Sequence, residues 1–141
     1  MSGASFTKSV FAYLVMQLVD EKAIDLDHLV EQYLDKPLPE YGEYKDLAGD
    51  ERYRRITARM LLSHTSGFPN WRWFTDDQKL RIYFAPGSRY SNSGQGIRLL
   101  QLVVEAITKR PVGDLIQERV FDRFGMARTG MVWRLEFESD Y

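Results

Sequence analysis

Residues 5–22 have the sequence SFTKSVFAYLVMQLVDEK, and the fold expected for the chain depends mainly on this stretch. Nearly every position from Val10 to Val19 is apolar, which predicts a helix that is buried on most of its faces. Ser5 or Thr7 is suited to cap the start of that helix, because a hydroxyl oxygen accepts a hydrogen bond from an unpaired backbone N–H.

The same apolar run also has to be compared with targeting segments. A helix that crosses a bilayer needs about 20 apolar residues, and this run is shorter. Gln17 interrupts it, charged residues 20–22 follow it, and no small-x-small cleavage site is present, so a signal peptide is not indicated. The sequence does not fix the compartment: it is compatible with the cytoplasm and with export directed by a signal outside this segment.

Helical patterns dominate the remainder of the chain. An apolar stripe predicts a helix over 94–108, and further helices are expected over 112–121, over 57–62 with Thr57 as cap, and over 28–33 with Asp25 or Asp27 as cap. Residues 40–55 are polar and contain glycine, which favours a surface loop, and residues 131–137 fit one short strand. The pattern therefore predicts a mainly α fold.

Composition excludes several function classes. The 141 residues are 44% apolar and 28% charged, as in ordinary soluble globular domains. With 19 basic and 20 acidic residues, the net charge of −1 argues against a nucleic-acid binder that relies on bulk charge. The absence of cysteine removes disulfides, thiol nucleophiles and thiolate zinc sites, and two histidines cannot form an all-histidine site. No metal and no cofactor are expected.

Ser5 and Lys8 form an S-x-x-K tetrad at the start of the apolar helix. Residues three apart share a helical face, so the Lys8 amine can approach the Ser5 hydroxyl. A lysine that is desolvated against an apolar helix can lose its proton and act as a base. The unpaired N–H groups at a helix start would also stabilise an oxyanion near Ser5. A Ser–Lys pair of this kind can carry out acyl transfer without histidine.

Three further segments follow the tetrad and its helix, which ends in MQLVDEKAIDLD. They are LLSHTSG at 61–67, PGSRYSN at 86–92 and ERVFDRFGM at 118–126. In this order, over essentially the whole chain, they resemble the superfamily of serine β-lactamases and penicillin-binding proteins. The closest likeness is to the branch of class C β-lactamases, D-alanyl-D-alanine carboxypeptidases and family VIII esterases.

The resemblance implies roles for several residues. Ser5 would be the acylated nucleophile, Lys8 would help to deprotonate it, and the backbone N–H of Ser5 would form half of an oxyanion hole. In this superfamily His64 would belong to a structural turn and would not be a base. Trp71, Trp73 and Phe74 would either line the rim of a pocket or pack within the subdomain.

The third catalytic position has two candidates, Tyr90 and Asn92. Tyr90-Ser91-Asn92 matches the letters of the superfamily's Tyr-x-Asn element, but its catalytic tyrosine lies six residues after the proline, and six after Pro86 is Asn92. The ungapped register is preferred, because the downstream positions then agree. An Asn side chain cannot transfer a proton as a phenol can, so acylation is expected to be slow or absent.

The superfamily's third element, a K-T-G, H-x-G or W-x-G strand, is not found after Gly125-Met126. The resemblance therefore implies a helical subdomain of an α+β serine β-lactamase/penicillin-binding-protein fold, with most of the central antiparallel sheet absent. Residues 1–141 are expected to be one incomplete domain of this kind.

Two functions remain open on the sequence. The first is a serine hydrolase that acylates Ser5 with a β-lactam, a D-Ala-D-Ala-type peptide or a small ester, weak or inactive as this chain. The second is a non-catalytic helical module or degenerate fragment. It would associate with itself through the exposed surface that would otherwise face the sheet.

Overall fold

Four α-helices and a series of short 3₁₀ helices make up the computed structural model, which describes residues 3–135 and residue 138. The α-helices are α1 (Phe6–Asp20), α2 (Ala58–Leu62), α3 (Gly94–Thr108) and α4 (Val112–Ile116). A π-helical turn continues α4 over Gln117–Asp122. The 3₁₀ helices span Val30–Tyr33, Leu38–Glu40, Gly42–Leu47, Glu51–Arg55 and Arg72–Phe74.

α3 is the centre of the core, as its apolar stripe predicts. Its inner face buries Leu99, Leu100, Val103 and Val104 completely, and the helix contacts α2, α4 and the 3₁₀ helix Val30–Tyr33. Ser93 caps its start by accepting the Gly96 N–H at 2.8 Å. α1 lies against α4 and the π turn, so the two long helices share α4 as a neighbour.

No β-strand forms within residues 3–135, where a single antiparallel bridge joins Leu29 and Thr57. The mainly α class predicted from the sequence is therefore confirmed. Residues 131–135 do not form the expected strand, and Glu136 and Phe137 lie outside the described residues. In that same part of the chain, none of the helices combines the length and the hydropathy that a bilayer crossing requires.

Several local expectations are wrong. α1 buries only one side, with Phe11, Leu14, Val15 and Leu18, whereas Tyr13 and Met16 remain exposed, because the apolar run continues around the whole helix and α4 covers only part of it. Neither Ser5 nor Thr7 caps α1 through its side chain.

The polar segment 40–55 is also not a plain surface loop. It contains two 3₁₀ helices whose Tyr44, Leu47 and Tyr53 side chains are buried in the core. The helix expected at residue 28 begins only at Val30, after Leu29, because the Asp25 side chain accepts the Asp27 N–H and forms a turn. Thr57 does cap α2 as expected, by accepting the Met60 N–H at 3.3 Å.

Gly67 ends the LLSHTSG segment in a conformation that excludes a side chain. Its φ is +86°, and a Cβ there would lie 2.6 Å from the Phe84 carbonyl oxygen. We expect Gly67→Ala to lower the free energy of unfolding by about 3 kcal/mol, from left-handed strain and a clash with rigid backbone. Gly49 has the same φ, +87°, with nothing within 4 Å of its Cβ position, so Gly49→Ala should cost only about 1 kcal/mol. Equal losses in urea denaturation would contradict the steric argument.

Candidate active site

Ser5 and Lys8 lie on one face of α1 at its N-terminus, as the i, i+3 spacing predicts. Lys8 Nζ donates a hydrogen bond to Ser5 Oγ at 2.9 Å. Ser5 has helical backbone angles and its hydroxyl makes no capping bond, which leaves the oxygen to the lysine. Ala4, directly before it, has a φ of +42°, a left-handed conformation that costs a non-glycine residue energy. The helix start thus presents a hydroxyl and an amine in hydrogen-bond contact.

His64 holds the segment that contains both candidates for the third catalytic position. Its backbone carbonyl accepts the Ser91 N–H at 2.8 Å, and its ring Nδ1 accepts the Ser93 N–H at 3.0 Å. Asn92 lies between these two anchored residues and is exposed. His64 itself has a left-handed φ of +57°, the bend that lets one residue present both acceptors to the same segment.

The hydrogen bond at Nδ1 also sets the protonation state of the imidazole. Because Nδ1 accepts an N–H, the neutral ring carries its proton on Nε2, and a second proton could be taken up only by breaking the bond to Ser93. Burial lowers the pKa of His64 below its usual value of 6.5, and the positive charge of Lys8 lowers it further. The geometry is that of a positioning residue, and the imidazole is not available as a base.

The lowered pKa of His64 predicts a pH-dependent stability. In acid the unfolded chain binds the proton more readily than the folded chain, so the free energy of unfolding should fall as the pH drops below about 6.5. His64→Asn keeps an acceptor for Ser93 but cannot titrate, and Lys8→Met removes one cause of the shift. Both variants should therefore lose less stability than the wild type between pH 7.5 and pH 5 in urea denaturation. A wild-type pH dependence in both variants would contradict this assignment.

Tyr90 and Lys8 line different cavities. Tyr90 is 69% exposed, and its ring meets His64 edge-on with centroids 6.0 Å apart. It also lines a cavity of about 500 Å³ together with aromatic residues of the 68–84 segment, among them Phe74 and Tyr83. Lys8 lines a different cavity, of about 490 Å³.

The cavity beside Lys8 has an apolar floor and a tryptophan wall. Phe11, Ile97, Val112 and Ile116 come from α1, α3 and α4, and Trp71 and Trp73 close one side. The sequence places Trp71, Trp73 and Phe74 at a pocket rim as one of two alternatives. In the structure Trp73 lines this cavity, Phe74 lines the cavity of Tyr90, and Trp71 lines both.

The sequence patterns predict no role for Asn70 and Gly94, although both residues shape this region. The Asn70 side-chain oxygen accepts the Gly94 N–H at 3.0 Å, and its backbone oxygen accepts the Gln95 N–H at 2.9 Å. Asn70 thereby fastens the tryptophan segment to the start of α3. The position of Asn70 directly before Trp71 is a weak signal for this role, because its partner Gly94 lies 24 positions away in sequence.

Within residues 3–135 and at residue 138, no three histidine or acidic side chains come together as a metal-ligand set. The chemistry available at the helix start is that of a hydroxyl, an amine and the backbone N–H groups of α1. Groups of these kinds are able to carry out acyl transfer.

The family is established by comparison with known proteins. The family model described as "Beta-lactamase" matches residues 2–137, so this chain belongs to the beta-lactamase family. Esterase EstB of Burkholderia gladioli is 28% identical and D-aminopeptidase of Brucella anthropi is 29% identical, over 92% and 91% of this chain. The solved octameric penicillin-binding protein homologue from Pyrococcus abyssi superimposes with a TM-score of 0.70 over 97% of this chain, at 23% identity.

These relatives are all much longer than the chain. It spans 38% of the esterase, 25% of the D-aminopeptidase and 34% of the Pyrococcus protein. The helical fold is therefore a helical portion of the β-lactamase/penicillin-binding-protein fold, and the family is one of serine hydrolases that includes esterases and D-aminopeptidases.

Proposed function

We propose that this chain carries the nucleophile and the base of a serine hydrolase, with Ser5 as the nucleophile and Lys8 as the base. The observation that supports the assignment most directly is the 2.9 Å contact between Lys8 Nζ and Ser5 Oγ at the start of α1, in a chain of the beta-lactamase family.

In the proposed reaction, Lys8 first releases a proton to solvent, and its Nζ then takes the proton of the Ser5 hydroxyl that it contacts. Ser5 Oγ then attacks the acyl carbon of the substrate, and the carbonyl electrons move onto the oxygen, which the N–H groups at the start of α1 stabilise. When the carbonyl re-forms, the bond to the leaving group breaks and that group takes the proton from Lys8. Attack of water on the Ser5 ester releases the acid and restores the hydroxyl.

The third position of the site is proposed to be Asn92 and not Tyr90. Asn92 stands where the superfamily's spacing places the catalytic tyrosine, while Tyr90 packs beside His64 and lines the other cavity. An amide cannot relay a proton, so Lys8 has to take and return it alone. The proposed activity of this chain is therefore slow.

The proposed substrate is a β-lactam, a D-Ala-D-Ala-type peptide or a small ester. The range is supported by relatives named as an esterase and a D-aminopeptidase and by the beta-lactamase family model. Because the chain spans so little of these relatives, we further propose that it forms the helical portion of a single β-lactamase-like domain.

The proposal is tested by incubating the chain with a fluorescent penicillin and with an activated acyl ester. The expected result is a covalent adduct in the intact mass, which fragmentation of the tryptic peptide of residues 1–8 places on Ser5. An adduct on another residue, or no adduct even in a longer version of the protein, would refute the assignment.

A second candidate function, self-association without catalysis, is favoured by one observation. Phe6, Tyr13 and Met16 form an exposed stripe along α1, and Phe124 extends it, with its ring centroid 5.7 Å from that of Tyr13. An apolar surface of this kind drives association. The Pyrococcus relative is itself described as octameric.

The test of self-association is light scattering after size exclusion over a range of concentrations. Self-association is supported if oligomers form that Met16→Glu disperses. The control Phe74→Glu, at an exposed hydrophobic residue outside the stripe, should leave them intact. A concentration-independent monomer would contradict it.

A further inference from the structure

The cavity beside Lys8 has the size of a ligand site. Its volume of about 490 Å³ lies within the range of about 300–1,000 Å³ that holds small molecules. Ala4, Thr7 and Lys8 line one edge of it, so the cavity opens next to the Ser5 hydroxyl that Lys8 contacts. A group bound there would lie beside the proposed reacting atoms.

One wall of this cavity is a pair of stacked tryptophans held in a fixed position. Gly94 makes room for the Trp71 indole, since a Cβ at that position would lie 2.5 Å from the ring. Trp73 stacks on Trp71 with ring centroids 4.7 Å apart and planes within 9° of parallel. Trp73 remains 54% exposed and therefore keeps free aromatic surface.

The segment that bears the tryptophans is anchored on both sides. Asn70 ties it to the start of α3, as described above. Arg72, between the two tryptophans, forms an ion pair with Asp46 at 3.6 Å, with both side chains largely shielded from solvent, and donates to the Glu43 carbonyl oxygen. A wall held in this way costs little ordering when a ligand binds.

The apolar floor of the cavity favours a neutral group. Glu43 and Arg98 lie at the edge of the cavity and pair with each other. The floor is apolar, as described above. A charged group placed against that floor would lose its hydration without gaining a partner.

We propose that this cavity binds a neutral aromatic group of the substrate. That the ligand is an acyl substrate rests on the proposed function, whereas the aromatic preference rests on the cavity. A ring on the apolar floor gains from burial and from an offset contact with the tryptophan pair, which together correspond to a preference of about tenfold.

The preference is measured with three thioesters: S-methyl thioacetate, the S-methyl thioester of phenylacetic acid, and S-benzyl thioacetate. The released thiol is detected with a thiol reagent, for which the chain gives no background because it has no cysteine. We expect at least one aryl thioester to react about tenfold faster than the all-methyl ester. Equal rates for all three would overturn the proposal.

Two variants and one control test the wall itself. Trp73→Ala should abolish the aryl preference without much loss of stability, because the side chain is half exposed. Gln101→Phe should fill the cavity from α3 and have the same effect by another route. Trp133→Ala removes a tryptophan of matching exposure, 55%, outside the cavity and should keep the preference. An aryl preference that survives both cavity variants would refute the site.

A binding measurement separates this proposal from the proposed function. Phenylacetamide, with acetamide as its control, is titrated calorimetrically into the Ser5→Ala variant, which cannot be acylated. If Ser5→Ala binds phenylacetamide and loses that binding when Trp73 is also replaced by Ala, while the wild type hydrolyses no thioester, the aromatic site is upheld and the hydrolase is refuted. Turnover of S-methyl thioacetate without aryl preference or phenylacetamide binding would refute the site and uphold the hydrolase.

Discussion

The Ser5→Ala variant is expected to label with a fluorescent penicillin or an activated ester at least about 100-fold more slowly than the wild type, down to the background rate. The hydroxyl is the only group lost, since the side chain is exposed and makes no capping bond in α1. The free energy of unfolding should therefore change by no more than about 0.5 kcal/mol. Labelling rates and urea denaturation on the same samples separate the two effects.

Ser9 provides the matched control for Ser5. It lies one turn further along α1 and is exposed as well, so Ser9→Ala makes the same chemical change on the same helix. We expect it to label at the wild-type rate. Equal losses in the two variants would show that labelling depends on the helix and not on the Ser5 nucleophile.

The Asn92→Tyr variant is expected to gain activity, with acylation about 100-fold faster than in the wild type. General acid–base catalysis contributes about 10²–10⁴-fold, and the lower end applies to a phenol that the surroundings have not been shaped to hold. Asn92 is exposed, so the larger side chain meets no packed neighbours. The rate of adduct formation by intact mass is the measurement.

Tyr90→Phe distinguishes the two registers of this segment. If Asn92 occupies the tyrosine position, removal of the Tyr90 hydroxyl leaves the slow acylation unchanged. If Tyr90 is the proton shuttle, the same change lowers the rate and Asn92→Tyr brings no gain. Phenylalanine keeps the edge-on contact with the His64 ring, so the fold of the segment is the same in both cases.

The parts of the fold that the sequence predicted are those with local causes. α3 was predicted with its bounds because its apolar stripe is a local property of the sequence. The cap at Thr57 was predicted for the same reason. The burial of α1 was overestimated, because an apolar run shows how much surface a helix can bury and not how much its neighbours cover.

The segment 40–55 shows the opposite error. Its glycines and charges indicated a surface loop, yet Tyr44 and Tyr53 reach the core from 3₁₀ helices. Such short helices carry no periodicity long enough to be recognised in a sequence. Their burial follows from contacts with residues far along the chain.

Local patterns in the sequence are enough to predict the mainly α class, the family likeness and the Ser5–Lys8 pair, because an i, i+3 spacing on a helix brings two side chains together without help from the rest of the chain. The packed fold is needed to show that His64 holds the segment of Asn92 and that the tryptophans close a cavity beside Lys8. Asn70 and Gly94, or His64 and Ser93, are separated by more than 20 residues. Their contacts depend on how whole elements pack, which no local pattern encodes.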